Sequence, residues 1–428
     1  SVIFFCHCCA VAHKKINYFI IPLNRIKIYV YQLYEQSKKG MKMFRNRLFS
    51  LILVLLFVNI GFGFSQSTPE YVPFIRESGF LGHDWYRQQT RLWQQQVQQT
   101  PKDAKAWRNY YLSTEYSYFG KPSPEKHGQL EQIIREMRTQ VPDALETLFL
   151  SHRFDQSDQA SLEKAHRLNP KHPEPIYGLI VTRELSGDNA AAKTLCQKLY
   201  ETGDIPTALL DYNYNMLMSC AENAILFTNG DNDSYPAWVL QSQGIRQDVA
   251  VWNIYLLQAD RDYLRNKLES KLNTADLSDL PEFSAEEFLP ELIRYIAKKS
   301  PQTPVYAAVT VESDQLKPIS KSLYLTGLAS RYSTSRMDNL VPLQHNWSRF
   351  RTDYLSNDWY REQQISRRLV EKYLNQNYLP AMIILFENAK KNNQTESAEK
   401  FRSLILRTAE KAELSESVSA QLRKIENE

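Results

Sequence analysis

Cysteine is scarce in this sequence of 428 residues. Of five cysteines, Cys6, Cys8 and Cys9 lie close together near the start, too tightly spaced to form one tetrahedral metal site. Only Cys196 and Cys220 remain to form a disulfide. Because both fall on apolar helical faces, we expect two buried thiols and not a disulfide-stabilised scaffold.

Long apolar runs are absent after residue 65. The one long run, residues 48–64, follows a short basic segment that begins at Met41. The run leads into the small-residue sequence Gly-Phe-Ser at residues 63–65. This order is typical of a secretory signal peptide. The sequence therefore predicts a signal peptide over residues 41–65, a periplasmic or extracellular location, and no membrane span after cleavage. Residues 1–40 would be upstream sequence included by a misassigned start; the alternative is a basic arm with an uncleaved anchor.

A basic surface is missing as well. Residues 1–65 hold nine Lys and Arg and one acidic residue, so without them the formal net charge changes from +4 to −4. Nucleic-acid-binding proteins carry a basic stripe that neutralises phosphate groups. Since the sequence shows no such stripe, we predict no nucleic-acid partner.

Familiar catalytic motifs are also missing. The sequence contains no Gly-x-Ser-x-Gly, no P-loop and no Gly-x-Gly-x-x-Gly. A nucleophile-elbow hydrolase or a motif-based nucleotide-binding protein therefore lacks support. No catalytic residue is assigned from the sequence.

Paired helices are predicted over residues 66–220. Trp107 and Ile176 each follow a proline by six residues, and they lie 69 residues apart, close to two periods of about 34 residues. Such helix pairs bury their apolar faces by stacking into a curved solenoid, which would offer a surface to a protein partner. The second segment resembles a degenerate tetratricopeptide repeat at Ile176, Tyr177, Leu179, Gly187, Asp188 and Ala192.

The hydrophobic period changes after Met216. Three short apolar runs rich in β-branched and aromatic residues, 224–228, 249–257 and 304–311, alternate with helical patterns. This alternation predicts a small parallel-sheet, Rossmann-like α/β domain over residues 221–335. A hairpin at Asn-Gly is rejected, because a helical pattern follows it.

The remaining residues, 336–428, have a helical pattern that includes a hairpin with an Asn-rich turn. The predicted fold class is therefore α+β and mostly α, with tetratricopeptide-like helical hairpins flanking a small α/β domain.

Polar residues follow each predicted strand. Because parallel strands end at one edge of a sheet, where ligands bind, these side chains could converge on Mg²⁺, Ca²⁺ or a sugar. The candidate binding residues are Asn229, Asp231, Asn232, Asp233 and Asp260, with further carboxylates at Asp262, Glu312 and Asp314.

Helix capping is the simpler interpretation of the same residues, and we favour it. Asp233 or Ser234 would cap a helix that begins near Tyr235, and Asp260 would cap the next helix. On this interpretation the loops need no cofactor, and Asn could replace either aspartate of the first loop at little cost.

One resemblance rests on the stretch ILFTNGDNDSYPAWVLQSQGIRQDVAVWNIYLLQADRDYL, followed by PVYAAV and LTGLASRYS. It resembles the soluble C-terminal region of the bacterial glycosyltransferase family 117 membrane proteins, relatives of eukaryotic transmembrane O-mannosyltransferases. The matching positions are residues 229–233 and 244–249 with Tyr235, Pro236 and Trp238. The resemblance covers about residues 220–335. The family's membrane domain, which would hold the transferase site, has no counterpart in this sequence, so we expect no transferase activity.

Two functional hypotheses follow. The favoured one is an exported, non-catalytic scaffold or binding protein of the bacterial cell envelope, accessory to envelope glycosylation or surface assembly. The alternative is a metal-dependent or sugar-binding hydrolase or transferase whose site lies at the acidic strand ends.

Overall fold

The computed structural model describes residues 68–121, 123–272, 276–284, 286–357 and 368–427. The predicted upstream extension and signal peptide lie outside these ranges. Within them, the structure contains no helix that is both long and apolar enough to cross a membrane. The described residues from Pro69 onward pack as one compact unit.

Helical hairpins form the first part of this unit. Trp107 lies in the helix Ala104–Ser117 and Ile176 in the helix Pro173–Leu185, and the helix pair between them begins at Leu145. Successive pairs therefore start 41 (145 − 104) and 28 (173 − 145) residues apart, so the helical hairpins are present without a regular period of about 34 residues. The helices are, in chain order, α1 (Ile75–Ser78), α2 (His83–Gln99), α3 (Ala104–Ser117), α4 (Pro124–Gln140), α5 (Leu145–Phe154), α6 (Gln159–Leu168), α7 (Pro173–Leu185), α8 (Asn189–Thr202) and α9 (Thr207–Met218).

Local capping sets several of these boundaries. Asp103, Asp158 and Asp188 accept hydrogen bonds from backbone N–H groups in the first turns of α3, α6 and α8. These carboxylates satisfy donors that have no partner inside the helix. Gly203 ends α8 in the left-handed conformation.

The α/β part follows α9. Its elements are β1 (Ile225–Thr228), α10 (Asp231–Ser242), β2 (Ala250–Asn253), α11 (Ile254–Ala259), α12 (Arg261–Leu272), α13 (Phe288–Lys299), β3 (Val305–Ala308), α14 (Ser313–Leu316), a 3₁₀ helix (Lys317–Ser322), β4 (Leu323–Leu325) and β5 (Ala329–Tyr332).

The sheet has the order β2-β1-β3-β5-β4. Strand β1 is parallel to β2, with Ile225 opposite Ala250, and parallel to β3, with Ile225 opposite Val305. The predicted strand-helix-strand crossover is confirmed, and so is the rejection of the hairpin. All four residues of β1 are buried, as expected for a strand covered on both faces.

Two details of the predicted sheet are wrong. The sheet is mixed, because β5 runs antiparallel to both β3 and β4. The short, half-buried strands β4 and β5 lack the continuous apolar run that marked the parallel strands. Residues 254–257, predicted as strand, belong to α11, since the Asn253 side chain accepts hydrogen bonds from the N–H groups of Tyr255 and Leu256 and starts a helix there.

The C-terminal helices share the core of the sheet. In this core the Tyr378 hydroxyl bonds to the Asn215 side chain at 2.7 Å and to the Tyr354 hydroxyl at 2.8 Å. Cys196 and Cys220 are buried free thiols, which confirms their prediction. The helices are α15 (Leu340–Trp347), α16 (Asp353–Ser356), α17 (Arg368–Asn375), a 3₁₀ helix (Gln376–Tyr378), α18 (Leu379–Lys391), α19 (Thr395–Lys411) and α20 (Ser415–Asn427).

Candidate functional site

Asp233 organises the turn between β1 and α10. Its carboxylate accepts hydrogen bonds from the backbone N–H groups of Asn229 and Gly230, both at 2.7 Å, and from the hydroxyl group of Thr310. The residue is 2% exposed. Burial raises the pKa of Asp233 above its ordinary value, against the lowering effect of the Thr310 and backbone donors. All three donors therefore belong to the protein itself.

Helix α10 begins earlier than predicted. It starts at Asp231 and not near Tyr235, so Asp233 lies inside its first turn and reaches back to the preceding N–H groups. The proline at position 236 cannot donate a hydrogen bond to the carbonyl of Asn232, four residues earlier. The side chain of Asn213 in α9 donates to that carbonyl instead, at 2.8 Å. Because this tertiary contact satisfies the carbonyl, the helix continues through the proline.

The gap between the carboxyl ends of β1 and β3 is the topological switch point of the sheet. From β1 the chain continues to β2 on one side, and from β3 it continues to β4 and β5 on the other. Open α/β sheets bind ligands in the crevice at such a point. Here the hydrogen bond between Thr310 and Asp233 spans the gap. The crevice is thus occupied by the protein's own polar groups.

The gap between β1 and β2 is closed in the same way. The hydroxyl groups of Thr228 and Ser234 lie 2.7 Å apart, and the side-chain amide of Asn253 donates to Ser234 at 2.9 Å. All three side chains are buried. Ser234 therefore joins the two strand ends and does not cap α10.

The other predicted residues are spread around this edge. Asp260 accepts a hydrogen bond from the N–H of Tyr263 at 2.9 Å, so it caps α12 as predicted. The side chain of Asn229 accepts from the Tyr255 hydroxyl at 3.4 Å. Asp231 is exposed on the first turn of α10.

The predicted carboxylates do not gather into one cluster. Asp262, Glu312 and Asp314 are exposed near the starts of α12 and α14, whereas Asp233 is turned inward onto its three donors. Among the residues that the structure describes, no group of three or more His, Cys, Asp or Glu side chains is placed to hold a metal ion.

The segment Gly-Ile-Arg-Gln-Asp-Val after α10 also has a structural role. Arg246 adopts a left-handed backbone conformation and forms an ion pair with Asp248 at 2.9 Å. Its guanidinium also donates to three carbonyl groups at the end of α9, those of Leu217, Cys220 and Ala221. The Leu217 carbonyl also accepts from the N–H groups of Ser219 and Cys220, while the Cys220 and Ala221 carbonyls lie just past the last helical residue. Arg246 thus adds donors to the end of α9 and caps it from a distant loop.

A cleft of about 670 Å³ lies between the helical hairpins and α10; we call it the repeat–α10 cleft. Its hairpin side includes residues of α3, α5, α6 and α7, and its opposite wall is formed by Asp231 and Tyr235. These two residues are four positions apart and so lie on one face of the helix. Burial, followed by the charge of Asp231, raises the pKa of Tyr235 well above its ordinary value.

Aromatic rings and ion pairs line the repeat–α10 cleft. The rings of Tyr177 and Tyr235 meet edge to face, with centroids 4.8 Å apart. The guanidinium of Arg76 lies 4.4 Å from the ring centroids of both Phe74 and Tyr177, and it is paired with Glu174. Burial alone would lower the pKa of Arg76, yet Glu174 raises it well above its ordinary value. Arg76 is therefore a permanent cation held within an aromatic setting.

A second ion pair lines the same cleft. The Arg153 guanidinium donates to the carboxylate of Glu115 at 2.9 Å. The Arg153 side chain is 37% exposed, so its remaining donors can reach a ligand. Gln156 and Gln159 contribute side-chain amides beside it.

Sequence reasoning missed this cleft, although it singled out Asp231. The lining residues come from segments between Phe74 and Tyr235, and no local spacing relates them. One signal was present: Tyr177 was identified as part of a repeat, and the inner faces of stacked repeats are common binding surfaces.

Comparison with known proteins gives one family match. A family model described as TMEM260-associated domain 2 matches residues 209–278. This family is tied to TMEM260-like glycosyltransferase-type proteins. The matched range runs from α9 past α12 and includes the β1–α10 turn, the cleft wall formed by Asp231 and Tyr235, and the Arg246 cap. No curated protein matches the chain.

Proposed function

We propose that this chain is an exported, non-catalytic scaffold or binding protein of the bacterial cell envelope, accessory to glycosylation or surface assembly. The observation that carries the proposal is the internal use of Asp233. Its carboxylate is buried and accepts three hydrogen bonds from the protein, across the crevice where an α/β enzyme would hold its ligand. An acid held this way shapes the sheet edge and offers no free oxygen edge to a substrate.

The family match supports a more specific proposal about the origin of the α/β part. The matched residues 209–278 overlap the region that resembles the soluble part of glycosyltransferase family 117 proteins. We infer that the α/β part descends from such a soluble module. In this role the helical hairpins would bind a protein partner, and α10 would join the hairpins to the sheet.

Thermal melts with divalent cations test the proposal against the enzyme alternative. We expect the free energy of unfolding of the wild type to be the same in Mg²⁺, Ca²⁺ or chelator, as for a protein that binds neither cation. A metal site would instead stabilise the protein by about 2.7 kcal/mol at a hundredfold excess of cation over its Kd. Such a gain, lost in Asp231→Asn or Asp233→Asn, would contradict the proposal and favour a metal-dependent enzyme.

A further inference from the structure

We propose that the repeat–α10 cleft binds a neutral oligosaccharide, with Asp231 and Tyr235 as its contacts on α10. The inference rests on the proposed function in one respect, that the protein binds a ligand without converting it. The cleft volume of about 670 Å³ is within the usual range for ligand pockets, roughly 300–1,000 Å³. The cleft is also separate from the filled crevices beside β1.

The pairing of charges distinguishes Asp231 from the other acids of the cleft. Glu174 is paired with Arg76, and Glu115 with Arg153. Asp231 is exposed and has no ion-pair partner in the described part of the chain. Its two oxygens can therefore accept hydrogen bonds from a ligand, and a carboxylate accepts strongly from adjacent hydroxyl groups.

The remaining lining groups suit a sugar ring. Arg153 and Gln156 present N–H donors to ligand hydroxyl oxygens, while Asp231 accepts from ligand O–H groups. The Gln159 amide lines the cleft beside them, where it donates to the Gln156 carbonyl at 2.8 Å and accepts from the Thr182 hydroxyl at 3.0 Å. A sugar needs both donors and acceptors in its binding site, because each of its hydroxyl groups can donate and accept a hydrogen bond. The rings of Tyr177 and Tyr235 line the cleft and meet edge to face, and aromatic surface of this kind packs against the C–H face of a sugar ring.

The charge balance disfavours other ligand classes. Two arginines in the cleft are balanced by Glu115 and Glu174, and Asp231 adds one negative charge. A phosphate or a nucleotide would be repelled by that unpaired carboxylate. A cationic peptide would meet the partly exposed Arg153. A neutral polyhydroxylated ligand avoids both costs.

Ligand-observed NMR with the full chain tests the assignment. The probes are four neutral disaccharides, built from glucose, mannose, galactose and N-acetylglucosamine. We expect saturation transfer and a measurable Kd for at least one. Asp231→Asn should weaken its binding about tenfold, which corresponds to about 1.4 kcal/mol. Gln156→Ala, at an exposed position, should also weaken binding.

The matched control is Asp262→Asn, which removes an exposed carboxylate from the first turn of α12, away from the cleft. It should leave the Kd unchanged, and thermal melts should show all variants folded. The assignment is overturned if every disaccharide binds more weakly than about 10 mM, or if the affinity is the same in Asp231→Asn. Binding of tetralysine that depends on Asp231, without sugar binding, would also overturn it and identify a peptide groove. In each case cation-independent melting would leave the non-catalytic function standing.

Discussion

The hydroxyl group of Thr310 donates a hydrogen bond to the carboxylate of Asp233, 77 residues earlier in the chain. The bond joins the loop after β3 to the first turn of α10 and spans the switch point of the sheet. Because Asp233 is buried, its protein donors replace the water that an exposed carboxylate would have. The buried aspartate of the turn after β1 is thereby built into the fold.

Asp233→Asn should destabilise the protein, contrary to the expectation from capping alone. Both oxygens of Asp233 accept a backbone N–H group, so the amide of Asn must place an N–H donor against another donor. We expect a loss of about 1–3 kcal/mol in the free energy of unfolding, measured by urea denaturation.

Asp231→Asn is the control for this change, because Asp231 is exposed and should tolerate Asn at almost no cost. Thr310→Val removes the hydroxyl group that donates to the Asp233 carboxylate. In a double-mutant cycle, Thr310→Val and Asp233→Asn should be strongly non-additive. Additive losses would show that the two side chains act independently.

Arg246→Lys should cost about 2 kcal/mol. A lysine ammonium cannot reproduce the fork that pairs with Asp248 while also donating to the carbonyls at the end of α9. The measurement is the midpoint of urea unfolding. Arg87→Lys, in an exposed pair on α2, is the control and should change nothing. Equal midpoints of urea unfolding for both variants would show that Arg246 does not stabilise the end of α9.

Asp248 should make the free energy of unfolding decrease at acid pH. The hydrogen bond from Arg246 lowers the pKa of Asp248 to about 2. A depressed carboxyl pKa contributes stability above the ordinary value of about 4, and this stability is lost as the pH falls toward 2. The effect is reduced by solvent, because the Asp248 side chain is 31% exposed. Asp248→Asn should flatten the profile over that window; an unchanged slope would contradict this origin.

Cys196 and Cys220 should resist thiol reagents in the folded protein. Burial raises the pKa of each thiol to about 12, so the reactive thiolate is rare at pH 8. We expect slow labelling by a chromogenic disulfide that becomes rapid in urea. Ser157→Cys, at an exposed loop position, supplies a fast-reacting thiol for comparison. Rapid labelling of Cys196 or Cys220, identified by peptide mapping, or a disulfide between these two residues, would refute this prediction.

Export remains a prediction from the sequence. The basic, apolar and small-residue order of residues 41–65 predicts cleavage close to Ser65. Mass spectrometry of the native protein should find an N-terminus near Gln66. Peptides from residues 1–40 in the native organism would contradict the assigned start.

Several features followed from the sequence because their signals are local. The three parallel strands were predicted from continuous apolar runs, and β1 is buried throughout. Asp260 was predicted as a cap, and it bonds to an N–H group three residues later. The helical hairpins around Trp107 and Ile176 were predicted from their apolar patterns. In each case the residues that interact, or that share a pattern, lie within one element or in neighbouring elements of the chain.

The tertiary structure alone decided the start of α10, the antiparallel half of the sheet and the repeat–α10 cleft. The start of α10 depends on Asn213, which satisfies a carbonyl that Pro236 leaves without its helical donor. Strand β5 pairs with β3 although its own pattern is weak. The cleft joins Phe74 to Tyr235, which no spacing relates. The sequence by itself determined which segments become helices and buried strands, because hydrophobic period and capping act over a few residues. Which polar groups face one another was decided by packing, since a hydrogen bond across the fold depends on where distant segments meet.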